Sequence, residues 1–173
     1  MNESRHLRRK ENSMQEILRL LLAVLVLLTG CGKTEEALPP EIGFRFTWQD
    51  TQIVMNTDAA EILEALGEPV SYTEEASCAF DGMDKTYYFG SFYMTTYPEN
   101  GKDYVYSLWF ADDSVATEEG IRIGDSQEAV ERVYDRECFN GDNAYILEKG
   151  ESRLTIILTD GVVSSVLYEA VLT

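Results

Sequence analysis

The sequence predicts an α+β fold in which two tandem αβββ repeats form one antiparallel sheet with both helices on one face. Two helical segments, over residues 57–66 and 124–134, align at an offset of 68 residues. Strand-like segments follow each helix, and turns containing Asn-Gly or Asp-Gly join the last two of each set. Because one helix and three strands bury little apolar surface alone, we expect the two units to share one core.

The first 30 residues have the layout of a secretory signal peptide. Five basic side chains lie in this segment, and residues 20–28 form an uninterrupted apolar run. A membrane-spanning helix needs ~20 apolar residues, so this run is too short for a span and suits the apolar region of a cleaved leader. Translation from Met14 would give a shorter leader of the same kind. The alternative is an uncleaved membrane anchor in which Cys31 is an ordinary thiol.

Residues 28–31, Leu-Thr-Gly-Cys, resemble the cleavage site of bacterial lipoprotein precursors. The resemblance implies cleavage before Cys31 and attachment of a diacylglycerol to its sulfur; two or more acyl chains make such an anchor stable. If Cys31 is lipidated, residues 31–43, which contain a Pro-Pro pair, form the tether between the lipid and the folded body. We expect a globular body over residues 44–173. We expect the protein on the extracytoplasmic face of the cell membrane.

The part of the chain that follows the leader is strongly acidic and contains no histidine. It has nine basic and 28 acidic residues, a formal charge of −19, and His6 lies in the leader. Such a charge disfavours nucleic acid and favours cationic partners. Without histidine, the usual serine–histidine and cysteine–histidine nucleophile pairs are excluded, as is histidine-ligated zinc. We therefore predict a protein that is not an enzyme and has no cofactor or metal site.

The first half of the body begins with strand patterns and then a helix. Residues 44–48 alternate apolar and polar side chains, which predicts a strand that residues 52–55 continue. A helix follows over residues 57–66, with Asp58 as one of two candidate caps. Gly67 ends this helix.

Aromatic and β-branched residues predict strands over residues 87–89, 92–97 and 104–110, with Asn-Gly at positions 100 and 101 between the last two. Alternation predicts the two faces of the third strand. One face holds Tyr104, Tyr106, Leu108 and Phe110, and the other holds Val105, Ser107 and Trp109.

The second half repeats this order of elements. A helix is predicted from Gly124 to about Tyr134. Strands follow over residues 144–147, 154–158 and 162–168, and Asp-Gly at positions 160 and 161 forms a two-residue turn between the last two.

The helical segments carry a family resemblance. Residues 124–134, with Gly-Asp-Ser at their start and Val130 and Tyr134 on one stripe, are similar to the opening of a repeat in the beta-lactamase-inhibitor-protein-like fold. That fold is shared by the inhibitors and by small outer-membrane assembly lipoproteins of the SmpA/OmlA type. Residues 66–69, Leu-Gly-Glu-Pro, resemble the end of the same element.

The whole body also resembles lipoproteins of Gram-positive gut bacteria, through residues 77–82, 96–98 and 117–125. The resemblance covers roughly residues 53–170 and implies repeats over about 53–115 and 121–172. No residue matches an inhibitory loop, so the resemblance does not imply inhibition.

The aromatic residues form the candidate binding surface. Ten of them lie within the 24 positions from 87 to 110. An exposed half of this set would suit an envelope protein or a glycan; its members are Tyr88, Tyr93, Tyr97, Tyr104, Tyr106 and Trp109. The alternative is cross-strand aromatic pairing that only stabilises the sheet.

Two smaller features complete the prediction. Cys78 and Cys138 either form a disulfide, as an even pair in an exported domain suggests, or remain separate thiols. Asp81 and Asp84 lack the spacing of a calcium loop and are interpreted as turn residues. The function predicted is a non-catalytic binding or scaffold module of the cell envelope. The alternatives are an inhibitor of an envelope enzyme and a hydrolase that uses carboxylates.

Overall fold

A computed structural model describes residues 43–172. The predicted signal peptide, Cys31 and the tether up to residue 42 lie outside these residues. Nine strands and two helices are present in the described range: β1 Arg45–Trp48, β2 Thr51–Val54, α1 Ala60–Leu66, β3 Ser71–Ala76, β4 Met83–Tyr88, β5 Phe92–Glu99, β6 Lys102–Phe110, α2 Gln127–Val133, β7 Ala144–Lys149, β8 Ser152–Thr159 and β9 Val162–Ala170. A 3₁₀ turn, Arg136–Cys138, precedes β7. Neither helix has the length and apolarity of a membrane span.

Seven strands form one antiparallel sheet in the order β3-β4-β5-β6-β9-β8-β7. The strands of the first half, β3 to β6, are neighbours in the sheet, and so are those of the second half, β7 to β9. The two halves meet where β6 pairs with β9 through three residue pairs. A large antiparallel sheet with two helices agrees with the prediction, but β1 and β2 form a second sheet that was not predicted. Four strands follow α1 and three follow α2, so the two halves are not equal αβββ units. The additional strand is β3, which is exposed along its whole length.

The predicted first strand is in fact a hairpin. Gln49 has a positive φ of 52°, and the chain turns there so that Arg45 pairs with Val54. Residues 52–55 therefore return antiparallel to β1 instead of continuing it. β1 and β2 form a sheet of their own.

This hairpin covers the centre of the large sheet. Phe46 and Ile53 are buried. The Phe46 ring centroid lies 5.0 Å from that of Phe92 and 5.4 Å from that of Phe110. The hairpin and the sheet thus share one hydrophobic core, to which α2 contributes the buried Val130.

All of this packing takes place on one face of the seven-stranded sheet. The buried residues of that face come from every strand except β3: Tyr87, Phe92, Met94, Val105, Leu108, Tyr145, Leu154, Ile156, Val163, Val166 and Tyr168. Ile62 and Leu63 of α1 pack against the same cluster. In the described part of the chain, only loops lie against the opposite face of the sheet, which we call the open face.

Each helix begins three residues later than predicted, because the residues before it form backbone hydrogen bonds with a distant part of the chain. The Asn56 N–H donates to Val105 (2.8 Å), and the Val105 N–H donates to the carbonyl of Thr57 (2.9 Å). The Ala59 N–H donates to Asp103 (2.8 Å). These backbone groups are occupied by β6, so α1 starts at Ala60.

The same arrangement precedes α2. The Gly124 N–H donates to Val163 (2.8 Å), and the Val163 N–H donates to the carbonyl of Asp125 (2.8 Å). The Gln127 N–H donates to Gly161 (2.9 Å). The Ser126 hydroxyl accepts from the Ala129 N–H at 3.3 Å and caps the helix.

A β-bulge in β6 places Val105 on the core face and Tyr106 on the open face, the reverse of the predicted alternation. Thr95 pairs with Ser107 and Thr96 pairs with Val105, so Tyr106 is an additional residue. Val105 and Leu108 are both buried on the core face, three positions apart. Tyr106 therefore does not share a face with Leu108 as predicted. A second bulge lies between β8 and β9, where Ile157 pairs with Ser165 and Leu158 with Val163.

Cys78 and Cys138 do not form a disulfide, and both carry free thiols. Cys78 follows β3 at one edge of the sheet, and Cys138 precedes β7 at the other edge. Six interstrand spacings of about 4.8 Å separate those edges, whereas the Cα atoms of a disulfide lie ~6 Å apart.

Replacing Phe46 with Ala should destabilise the fold strongly, because the hairpin closes the core through this ring. We expect the free energy of unfolding to fall by about 3–5 kcal/mol, measured by urea denaturation. Thr47→Ala on the exposed side of β1 is the matched control and should change it by less than ~0.5 kcal/mol. Equal effects of the two substitutions would contradict the packing described.

Candidate functional site

The open face carries a line of side chains that crosses six strands in register. Tyr88 is opposite Tyr93, and Tyr93 is opposite Trp109. Trp109 in turn is opposite Leu167 of β9. The line continues through Thr155 and Ile146. We call these six residues the central row: Tyr88, Tyr93, Trp109, Leu167, Thr155 and Ile146.

The three aromatic rings of the central row stack on one another. The centroids of Tyr88 and Tyr93 are 4.4 Å apart with an interplanar angle of 22°. Those of Tyr93 and Trp109 are 4.9 Å apart at 9°. Both faces of the Tyr93 ring are thus covered by neighbouring rings, and the edges of the stacked rings point outward. This geometry stabilises the sheet through cross-strand pairs and leaves little ring face on which a sugar could stack.

The other three predicted aromatic residues lie together at one end of the open face. Tyr97 is buried, stacks on Phe80 at 4.7 Å and donates its hydroxyl to Asn56. This burial raises the pKa of Tyr97. Tyr104 stacks on Tyr97 at 5.7 Å, and Tyr106 meets the edge of Tyr97 at 6.2 Å. Of the three, Tyr106 is the most exposed, at 38%. The six predicted residues therefore form two clusters instead of one surface.

A polar row runs beside the central row, and the sequence did not reveal it. Cross-strand pairing aligns Thr73, Thr86, Thr95, Ser107, Glu169, Arg153 and Glu148. The hydroxyls of Thr95 and Ser107 are hydrogen-bonded at 2.6 Å. At the other end Arg153 forms an ion pair with Glu148 at 2.7 Å, and this hydrogen bond raises the pKa of Arg153. Only the strand register reveals this row.

The polar row ends in a pocket of about 350 Å³ beneath the loop that joins β3 to β4. Glu75 and Asp84 line it and are directly opposite each other on neighbouring strands. One oxygen of Asp84, Oδ1, is buried and has no hydrogen-bond partner among the described residues. Asp84 lies within β4, not in a turn as predicted. Across residues 43–172 no group of three potential metal ligands is found.

Among known proteins, the chain matches no family model but has a distant structural neighbour. No curated protein matches the chain. Among solved structures, the chain is similar to an extracellular protein containing an SCP domain from Bacillus anthracis strain Ames, with 15% identity and a TM-score of 0.40. The match covers 67% of this chain and 44% of that chain, so it spans less than half of that protein.

Tyr93→Leu should lower stability, because it keeps an apolar side chain in the central row but removes two ring–ring contacts. Each such contact contributes about 0.5–1.5 kcal/mol beyond area burial, so we expect a loss of roughly 1–3 kcal/mol in thermal or urea unfolding. Tyr106→Leu removes a single edge contact and should cost less. A Tyr93→Leu protein as stable as the wild type would show that the stack contributes nothing to the sheet.

Proposed function

We propose that this protein is a lipid-anchored, extracytoplasmic binding module that recognises a protein partner through its open face. One observation carries the proposal: the open face has a mostly apolar central row that crosses six strands, with a polar row beside it. An apolar centre with a polar surround is typical of protein interfaces. Five strand spacings give the central row a length of about 24 Å, which suits an interface of ordinary size.

The charge of the chain favours a basic partner. The part after the leader has 28 acidic and nine basic residues. On the open face, Glu169 and Glu148 flank the only basic residue of the polar row, Arg153. Electrostatic complementarity speeds association and suppresses wrong partners. We propose that the partner presents an apolar strip bordered by lysine or arginine. The stacking of Tyr88, Tyr93 and Trp109 favours a protein over a glycan.

The sequence supports an anchor that keeps this face close to a membrane. Gly43, the first described residue, lies twelve positions after Cys31. Fully extended, this stretch spans at most about 40 Å, so the body would stay within that distance of the lipid. A partner held in the cell envelope lies within this reach.

We propose a non-catalytic role, for reasons of residue type. The proposed mature chain has no histidine to act as a general base at neutral pH. Glu75 and Asp84 belong to neighbouring strands of one half of the chain. A hydrolase that used carboxylates from both halves of the chain would bring those acids together in one cleft. No observation favours that hydrolase or the inhibitor over binding.

We also propose that the body contains two copies of one αβββ unit, as in the beta-lactamase-inhibitor-protein-like lipoproteins that the sequence resembles. Matched backbone hydrogen bonds support this: Asn56, Thr57 and Ala59 bond to β6, whereas Gly124 and Asp125 bond to β9 and Gln127 bonds to Gly161, directly before β9. The bulges of β6 and β9 provide a second match, since each lies directly after a buried valine. In this interpretation β3 is an addition at the edge of the first copy.

Cys31→Ser should abolish lipid attachment. In a bacterial host labelled with an alkyne analogue of palmitate, we expect the wild-type chain to carry the label in the membrane fraction. The Cys31→Ser chain should be unlabelled and released or left uncleaved. Cys78→Ser and Cys138→Ser are matched controls that should keep the label. Labelling that survives in Cys31→Ser would disprove the anchor.

A photo-crosslinking amino acid in place of Leu167 should capture the partner in intact cells, because this position is at the centre of the open face. The same amino acid in place of Glu64, on the exposed side of α1, is the control. We expect a product of defined mass from position 167 alone, weakened at high salt as a charged interface requires. Identical products from both positions would rule out specific use of the open face.

A further inference from the structure

We propose that the pocket beneath the β3–β4 loop binds a small organic ammonium ion that also carries hydroxyl groups. The pocket shares Thr86, Thr95 and Ser107 with the polar row, but it contains no residue of the central row, and neither proposal depends on the other. Its volume of about 350 Å³ falls at the lower end of the range for small-molecule sites.

Two carboxylates lie side by side in the pocket, and neither is paired with a cation among the described residues. Glu75 and Asp84 are cross-strand partners, and like charges in that position repel. Within residues 43–172 neither carboxylate forms an ion pair. Lys85 also lines the pocket, but its ammonium group is already paired with Asp103 at 2.7 Å. A positively charged ligand would relieve this repulsion.

One atom specifies a hydrogen-bond donor on that ligand. Asp84 lines the pocket, and its Oδ1 is shielded from solvent and accepts no hydrogen bond from the described residues. Buried carboxylate oxygens are normally hydrogen-bonded, and leaving one unpaired is costly. An ammonium group in the pocket would pair with the Asp84 carboxylate and offset its charge.

The walls favour an organic cation with hydroxyl groups. Phe80, Tyr97 and Tyr106 place aromatic surface beside the two acids, and aromatic rings attract organic cations. Thr86, Thr95 and Ser107 add hydroxyls. The Thr95 and Ser107 hydroxyls bond to each other at 2.6 Å, and a hydroxyl can both donate and accept, so each retains capacity for a ligand hydroxyl.

The loop that covers the pocket is held in place before any ligand binds. The Ser77 hydroxyl accepts the N–H groups of Ala79 (3.3 Å) and Phe80 (3.2 Å), and the Ser77 N–H donates to Gly82 at 3.0 Å. Gly82 has a φ of 142°, and a Cβ there would lie 2.8 Å from Pro98. This close approach packs the loop against β5. A preformed site loses less entropy on binding.

Binding can be measured on the full-length chain in detergent with D-glucosamine as the probe. We expect saturable binding by calorimetry, and at least a tenfold weaker affinity in Asp84→Asn. D-glucose, which has the hydroxyls but no ammonium group, should not bind measurably. Ethylammonium, which lacks the hydroxyls, should bind more weakly than glucosamine. Glu64→Gln removes the same charge from the exposed side of α1 and should leave the affinity unchanged.

A second measurement uses the two free cysteines. Cys78 is exposed and lines the pocket, whereas Cys138 lies near the far edge of the sheet. Glucosamine should slow alkylation of Cys78 and leave that of Cys138 unchanged. Thr86→Val should weaken this protection, which provides a test should Asp84→Asn fail to fold.

The proposal fails if glucosamine does not bind at millimolar concentration, if glucose binds equally well, or if Asp84→Asn keeps the wild-type affinity. It also fails if both cysteines are protected to the same degree. Crosslinking from position 167 is independent of all these outcomes, so the failure of this site and the failure of the partner surface are distinguishable.

Discussion

The pairing of β6 with β9 is the constraint on which the rest of the structure depends. Only three residue pairs join the two halves of the sheet: Ser107 with Glu169, Leu108 with Tyr168, and Trp109 with Leu167. The middle pair faces the core, where Tyr168 is fully buried beside Phe46 and Phe110. The outer pairs continue the polar and central rows from one half to the other. A slip of one residue would exchange the two faces and place charged Glu169 in the core, so burial of Tyr168 also fixes the composition of the open face.

The sequence predicted those elements whose pattern is set locally. β8 and β9 alternate buried residues with residues that are partly or fully exposed, and Asp160 and Gly161 adopt the positive φ values of the predicted turn, 53° and 76°. The helix starts were predicted too early because distant backbone groups decide them. Residues 56–59 have helix-compatible side chains, but their N–H and C=O groups are bonded to β6, a partner that lies more than 40 positions away in sequence.

The candidate site was predictable only as a set of residue types. Composition identified the aromatic residues, yet their facing depends on the bulge at Tyr106, which leaves no mark on the pattern of β6. β3 was missed because all six of its residues are exposed, so no apolar alternation marks it as a strand. The pocket depends on the register of β3 with β4, since Glu75 and Asp84 become neighbours only through that pairing. The sequence pattern does not show which residues of two strands are opposite each other, because the strand register decides this.

A structural role explains one member of the acidic pair, Glu75, but not the other, Asp84. Exposed edge strands are protected from aggregation by charged side chains, and this accounts for Glu74 and Glu75 on β3, the edge of the sheet. It does not account for Asp84, which lies on β4 inside the sheet and has one buried oxygen without a partner. In a chain this acidic, a further carboxylate at an inner position adds repulsion and gains no contact. Sites at which a local rule is broken without compensation in the fold are where function is expected, and Asp84 meets that description because its carboxylate lines a pocket and has a buried oxygen without a partner.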